Sequence, residues 1–416
     1  MIEIKEYDSF KKALSIISSS EIIVGIPSRN SAHTIGYVLK NVTDGLTKYF
    51  RGKKASIIVC DGFSRDGTAE VVNVFRKHLP VPITIVPNVK SSGKGGAVRT
   101  IIENASESRN LEALVLVDSD LRSITPEWIS LLTYGAMKCG FAAPYYRRHK
   151  YDGTITNFIA RPLTTMAYGI DLNQPIGGDF GLSSRLVRIL KETGFWKFNP
   201  WVMLFGIDAF ITHTALANNI SVCEVDLGVK IHEPKDPASG LKNMFVEVLG
   251  TIFHLLIKYR KSWSVKVIRE IKEPLKIKKY KIPTMHPWEV IVSKDKAYEE
   301  FNHGLSEYRE YYGKIFSRRT LSMLYSNITV KRGLSRSLWA KVVYEAFTKY
   351  FKTDNIGEKE RLLSSLFSLW QGRLYSYYNE TWGLSLEEAL KEVTMQIKEF
   401  IRLRNKFLAA VNYGHF

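Results

Sequence analysis

Over the first 125 residues, short apolar runs alternate with amphipathic stretches, and this rhythm restricts the fold more than any other feature of the chain. Ile22 to Pro27, Ala55 to Asp61, Ile83 to Val86 and Ala113 to Val117 read as buried strands. Between them, Thr34 to Tyr49, Thr68 to His78 and Gly95 to Ser106 carry apolar residues at helical spacing. Strand, helix and strand at this interval build a parallel sheet with right-handed crossovers. The expected class is α/β, a Rossmann-like, mostly parallel sheet with flanking helices. Phe141 to Tyr146 and Ser221 to Val229 read as further strands, and Ile155 to Tyr168 as a helix. A short helix is expected over residues 8–18. From Leu241 onwards the pattern is helical, with breaks at Pro274, Pro283, Pro287 and Gly304. The expected domains are 1–240, α/β, and 241–416, mainly helical.

In a parallel sheet the loops that follow the strands share one edge, where open α/β sheets bind ligands. Four such junctions are polar or glycine-rich: Pro27-Ser28-Arg29-Asn30, Asp61-Gly62-Phe63-Ser64-Arg65-Asp66-Gly67, Ser91-Ser92-Gly93-Lys94-Gly95-Gly96, and Asp118-Ser119-Asp120. Each alone passes for an ordinary turn. Together they bring the Asp118 and Asp120 pair, Arg29, Lys94 and several glycines to one edge. Carboxylates there suit a hard divalent cation that also takes phosphate oxygens. The glycine run lacks the spacing and the Ser/Thr of a P-loop.

Two acids and a histidine further along need an explanation. Asp208 ends the apolar stretch Pro200 to Ile207, so it either caps the helix that follows or points into the site. His232 follows an alternating strand, and an imidazole could complete the shell of a manganese or cobalt ion. His213 falls within a helical run and reads as structural.

The net charge of +18 admits nucleic acid, an anionic membrane or an anionic small molecule as partner. Lys258 to Lys281 concentrates the excess, opposed only by Glu270 and Glu273. No nucleic-acid motif accompanies it, so no nucleic-acid partner is expected, and a solvated face is preferred to a membrane contact. Cys60, Cys139 and Cys223 are widely spaced and odd in number, which fits buried thiols of a reducing compartment. With no signal peptide or spanning segment read in the sequence, a cytoplasmic protein is expected.

The junctions resemble those of the GT-A glycosyltransferases. A longer likeness, over about residues 20–235, is to the retaining enzymes that make mannosylglycerate, glucosyl-3-phosphoglycerate and mannosyl-3-phosphoglycerate. It is carried by Gly93-Lys94-Gly95, Asp118-Ser119-Asp120, Thr154-Ile155-Thr156, Ala160-Arg161-Pro162-Leu163, Gln174 to Asp179, Phe205 to Asp208 and Val225 to His232. The resemblance implies a GT-A fold with a C-terminal helical region and a hexose moved from a nucleoside diphosphate sugar, GDP-mannose or UDP-/GDP-glucose. The acceptor would be small and anionic, such as D-glycerate or 3-phosphoglycerate, with retention of configuration. It implies Mn2+ or Mg2+, with Co2+ as a further option, on Asp120 and His232. Pro27, Ser28, Arg29, Asn30, Asp61, Gly62, Lys94, Gly95, Asp118 and Ser119 would hold the nucleotide. Gly178, Asp179 and Asp208 would meet the sugar, with Asp120, Asp208 and Lys94 serving catalysis. Thr154, Thr156 and Arg161 would line the acceptor site. Where the glucosyl-3-phosphoglycerate enzymes have a Gly-Arg pair, this chain has Gly153-Thr154, and Arg148 nearby could supply the charge. A homodimer is expected, with the helical region at its interface.

Three rivals share parts of this pattern. An inverting GT-A enzyme with a polyprenyl-phosphate or polysaccharide acceptor would share the four junctions and use Asp208 as base. A nucleotidyltransferase would carry its glycine-rich signature after the first strand, where Pro27-Ser28-Arg29-Asn30 stands instead. A non-catalytic nucleotide or RNA binder would keep affinity without turnover.

Overall fold

The structure, a computed structural model, describes residues 15–91, 93–232, 236–238, 240–283 and 285–413. The chain forms two compact units. The first comprises residues 1–147, 172–233 and 273–287, and the second 148–171, 234–272 and 288–416. The segment 148–171 thus falls in the second unit and 273–287 in the first. Of the helix expected over 8–18, residues 15–18 are helical, and the rest lies outside the described residues.

The first unit is built on one eight-stranded sheet in the order β3-β2-β1-β4-β6-β5-β7-β8. The strands are β1 (Ile22–Ser28), β2 (Ala55–Asp61), β3 (Ile83–Pro87), β4 (Ala113–Leu116), β5 (Phe141–Arg147), β6 (Phe180–Ser183), β7 (Val222–Val229) and β8 (Leu275–Ile277). All pairings are parallel except those of β6, which runs antiparallel to both β4 and β5. The flanking helices include α1 (Ile35–Tyr49), α2 (Thr68–His78), α3 (Lys94–Ala105), α4 (Pro126–Cys139), α5 (Ser184–Glu192) and α6 (Ile207–Ala217). This is the mostly parallel sheet with flanking helices that the rhythm predicts.

Val24, Ile26, Ile57, Val59 and Val115 are wholly buried in the core, each stabilising the fold by roughly 2 kcal/mol. Gly25 lets α3 close on the sheet, since a Cβ there would lie 2.3 Å from Ile101 Cγ2. The reversal of β6 matters most for the site. Leu116, the last residue of β4, pairs with Phe180, the first of β6. The turn entering β6 therefore reaches the same edge as the loops leaving β1, β2 and β4.

The second unit is helical. Its longer helices are Lys242–Lys258, Lys294–Glu307, Arg336–Phe351, Ile356–Thr381 and Leu386–Tyr413, and a wide π-type turn at Thr156–Ala160 leads into Arg161–Tyr168. Trp263, Trp339, Trp370 and Tyr344 are fully buried in it. Arg373 is buried too, and Glu380 and Gln396 accept its N–H groups at 2.9 to 3.1 Å. The basic stretch divides between the units, with Lys258 to Lys272 in the second. Among the described residues no helix is long and apolar enough to cross a membrane.

Candidate active site

The loops after β1 and β2 are stitched together by side chains acting on backbone. The Asn30 amide donates to Ser64 Oγ at 2.8 Å, and the Arg65 amide to Asn30 Oδ1 at 3.0 Å. The Ala32 and Ser31 amides reach Asp66 Oδ2 and Thr68 Oγ1 at 2.9 and 2.8 Å. The Gly62 amide donates to Ser28 O at 2.7 Å. Asp61 accepts from the Ser64 hydroxyl and amide at 2.6 and 3.0 Å, which fixes its carboxylate at the end of β2. Pro27 is buried and Arg29 exposed. Ser28 Oγ is buried without a hydrogen-bond partner, an orphan that a ligand hydroxyl or phosphate would satisfy. The loop after β4 joins this assembly: Ser119 Oγ lies 2.8 Å from Ser31 Oγ, and Thr34 Oγ1 donates to Ser119 O at 2.8 Å.

The chemistry concentrates around Asp118. Lys94 Nζ lies 2.8 Å from Asp118 Oδ1 and 3.2 Å from Asp208 Oδ2. Lys230 Nζ lies 2.8 Å from Asp118 Oδ2 and 2.9 Å from Asp179 Oδ2. The Asp118 amide donates to Asp179 Oδ1 at 2.9 Å, and Tyr146 donates its hydroxyl to Asp179 Oδ2. Three carboxylates thus face two ammonium groups. Asp208, in the first turn of α6, turns its carboxylate to Lys94, which decides between the two roles its position allowed.

Burial alone would raise the pKa of Asp118, but Lys230 and then Lys94 outweigh it and hold the carboxyl far below its ordinary value. Burial would likewise lower that of Lys94, but Asp118 and Asp208 hold the ammonium well above its usual range. Asp179 and Asp208 move the other way. Burial raises both, and the Asp118 charge raises them further, against the pull of Lys230 on Asp179 and of Lys94 on Asp208.

The glycines of the Lys94 loop do structural work. A Cβ on Gly95 would lie 2.0 Å from Val202 O, and the Gly95 amide donates to Leu204 O at 3.0 Å. A Cβ on Gly93 would lie 2.6 Å from Met203 O. The close backbone approach that these glycines permit is made by residues 202–204, the segment that leads to Asp208. Lys94 and Asp208 are thereby brought to one point.

Asp120 is exposed and His232 half-buried. Their segments adjoin, because the Arg122 amide donates to Ile231 O at 3.0 Å and the Ile231 amide to Ser123 Oγ at 2.9 Å. Among the described residues no cluster of three or more His, Cys, Asp and Glu could hold a metal ion. One carboxylate and one imidazole suit an ion whose remaining positions go to diphosphate oxygens and water, as Mg2+ and Mn2+ accept.

The expected acceptor residues belong to the second unit. Arg148 Nη1 lies 3.7 Å from Asp152, and Gly153 turns at φ +70° beside it. Thr154 is fully buried, its hydroxyl without a partner, and Thr156 is buried in the π-type turn. Arg161 is held in two-point fashion by Asp171 at 2.6 and 2.8 Å, so its charge is already matched. His213 is buried in α6 with its pKa pushed down by burial to about 3, a neutral core histidine.

Sequence reasoning missed Lys230 and Tyr146. The signal for Lys230 was its parity. It continues the face of Glu224, Asp226 and Gly228 on a strand whose other face is Cys223, Val225, Leu227 and Val229.

Residues 23–188 match the family described as Glycosyl transferase family 2. Mannosylglycerate synthase of Rhodothermus marinus is 25% identical over 214 residues, 47% of this chain and 52% of that protein. The match therefore spans about half the length of that relative. Among solved structures, glucosyl-3-phosphoglycerate synthase from Mycobacterium tuberculosis with Mn2+, UDP and glucosyl-3-phosphoglycerate is 20% identical, with a TM-score of 0.45 over 59% of this chain and 82% of that one. The same enzyme with Mg2+ and UDP is 19% identical, with a TM-score of 0.45 over 60% and 83% of the respective chains.

Proposed function

We propose that this chain, whose residues 23–188 carry a glycosyl transferase family 2 domain, moves a hexose from a nucleoside diphosphate sugar to a small anionic acceptor of the glycerate or 3-phosphoglycerate type, with retention. The observation that carries this reading is the cluster of Lys94, Asp118, Asp179, Asp208 and Lys230 beside the joined segments of Asp120 and His232. Such an edge combines fixed positive charge for a diphosphate with carboxylates for sugar hydroxyls.

In this reading the stitched loops of Pro27 to Asn30 and Asp61 to Gly62 hold the nucleoside, with Ser119 bracing them. A bound Mn2+ or Mg2+ at Asp120 and His232 would neutralise charge on the departing diphosphate. Lys94 adds a fixed ammonium for the same charge, which favours the transition state over the ground state. Gly178, Asp179 and Asp208 hold the sugar hydroxyls, and Asp208, its pKa raised, is the group suited to accept a proton. Arg148, Thr154 and Thr156 bind the acceptor. The relative of mannosylglycerate synthase type supports a glycerate-type acceptor.

The test is a matrix of UDP- and GDP-glucose and GDP-mannose against D-glycerate, 3-phosphoglycerate and a polyprenyl phosphate, with and without Mn2+. Metal-dependent product with either glycerate, its anomeric configuration read by NMR, supports the proposal. Transfer to the lipid phosphate alone, or no transfer to any acceptor, refutes it.

A further inference from the structure

We propose that Lys230 is a positioning residue that fixes the turn Gly177-Gly178-Asp179 against Asp118 and so sets where the donor sugar lies. The role given to that turn rests on the function proposed above; the clamp itself does not.

A lysine ammonium has three N–H donors and no acceptor. Lys230 places all three: on Asp118 Oδ2 at 2.8 Å, on Asp179 Oδ2 at 2.9 Å and on Gly177 O at 2.8 Å. These belong to the end of β4 and to both sides of the turn entering β6. Lys230 itself stands one residue beyond β7, so one side chain ties together three segments of the site edge. The ammonium also lies 5.2 Å from the centre of the Tyr146 ring, whose hydroxyl donates to the same Asp179 oxygen.

The turn has no slack. Gly178 sits at φ +87°, where side chains are strained, and a Cβ there would lie 2.5 Å from Asp118 Oδ2 and 3.0 Å from Lys94 Nζ. Both Asp118 oxygens are held where the turn packs this close, Oδ1 by Lys94 and Oδ2 by Lys230. With both oxygens engaged by ammonium groups, Asp118 serves as the keystone of the edge. Direct ligation of a cation falls to Asp120. Two residues past Lys230 lies His232, so the clamp also links the sugar turn to the strand end that carries the imidazole.

The compact ammonium is the fitting group. A guanidinium is planar and larger, and cannot meet three acceptors arranged around one point. Loss of the clamp leaves Asp179, which is fully buried, with an unmatched charge, and frees the turn. A shift near 1 Å at a reacting centre costs roughly a hundredfold in rate. The Pro27–Asn30 and Asp61–Gly62 loops are not among the partners of this ammonium.

The experiment compares wild type with Lys230→Met, Lys230→Arg and Gly178→Ala, the last pushing the same turn from its other side. Steady-state kinetics with the best donor, nucleoside diphosphate titration by calorimetry, and amide exchange of residues 177–183 are measured on each. The expected result is kcat down about a hundredfold, nucleotide Kd within about threefold, and faster exchange at Gly178 and Asp179. Lys230→Arg should remain nearer to Lys230→Met than to wild type. If Lys230→Met does not fold, Lys230→Arg, which keeps the charge and loses the three-point geometry, carries the same reading. Unchanged exchange in the turn overturns the clamp, as does kcat within threefold of wild type. A fall in nucleotide affinity equal to the fall in kcat would move Lys230 to the diphosphate. An inactive wild type whose turn still loosens in Lys230→Met would sink the proposed function and leave the clamp standing.

Discussion

Gly95→Ala separates two accounts of the glycine-rich loop. As a phosphate cradle, the loop would keep its fold on gaining a methyl group and lose nucleotide affinity. In the structure that methyl group meets Val202 O at 2.0 Å and two Met203 backbone atoms at 2.6 and 2.7 Å. Backbone cannot rotate away as a side chain does, so the 202–204 segment must retreat. Overpacking of this kind costs roughly 1–3 kcal/mol. The Gly95 amide bond to Leu204 O stretches with it, a further loss of about 1 kcal/mol. Alanine regains about 1 kcal/mol of helix propensity in the first turn of α3. The net is a destabilisation of about 2 kcal/mol, read as a lower urea midpoint. Turnover should fall as well, because the retreating segment carries Asp208 away from Lys94. Gly313→Ala is the control, since nothing lies within 4 Å of its added Cβ. A variant with native stability and weakened nucleotide binding would refute the packing account and restore the cradle.

Asp120→Ala should abolish metal-dependent turnover, and His232→Ala should weaken Mn2+ and change metal preference; a Mn2+ titration of each variant, read by paramagnetic resonance, checks both, and unchanged binding refutes the assignment. Glu127 ties α4 to α1, accepting from Tyr49 Oη at 2.6 Å and Lys48 Nζ at 3.1 Å. Burial would raise its pKa, but Tyr49 and its other hydrogen-bond donors outweigh this and hold it at about 2. A depressed carboxyl stabilises the fold above its unfolded pKa and ceases to do so as pH falls through the folded one. The contribution, up to about 3 kcal/mol, should therefore fade between about pH 4.5 and pH 2, and Glu127→Gln should flatten that part of the stability curve; an unaltered acid limb counts against it. Arg148→Gln should raise the acceptor KM about tenfold and spare the donor KM. Arg161→Met should instead lower the melting temperature, because Asp171 loses both of its bonds; kinetics and melting curves on the pair would expose a swapped assignment.

The first four strands were legible because each is a compact apolar run closed by a polar junction, and β1, β2 and β4 are buried on both faces. Their ends fall within about one residue of those expected. β6 was not legible. Phe180–Ser183 is four residues long and contains Gly181, whose missing Cβ lets Leu132 O approach. No periodicity survives in so short a run. β8 is shorter still and lies in the basic stretch, where charge hides the apolar Leu275 and Ile277. Both strands owe their place to neighbours distant in sequence, which local pattern does not encode.

The candidate site divides along the same line. Lys94, Asp118 and Asp120 stand on junctions that directly follow strands or open helices, so sequence order alone puts them on one edge. Asp208 could be narrowed only to two roles, since its position two residues into α6 suits either, and the choice depends on Lys94, 114 residues away. Lys230 was passed over, despite its parity, for a further reason. A lysine among strand residues reads as a snorkelling surface group, and only the reversal of β6 brings Asp179 to meet it. The burial of a lone ammonium would be prohibitive, and here two carboxylates and a carbonyl match it. The same reversal thus supplies both the charge that lets Lys230 be buried and the turn that Lys230 holds. A chain that kept every junction loop but lost the antiparallel β6 would lose the turn that carries Asp179, and with it the partner that lets Lys230 be buried.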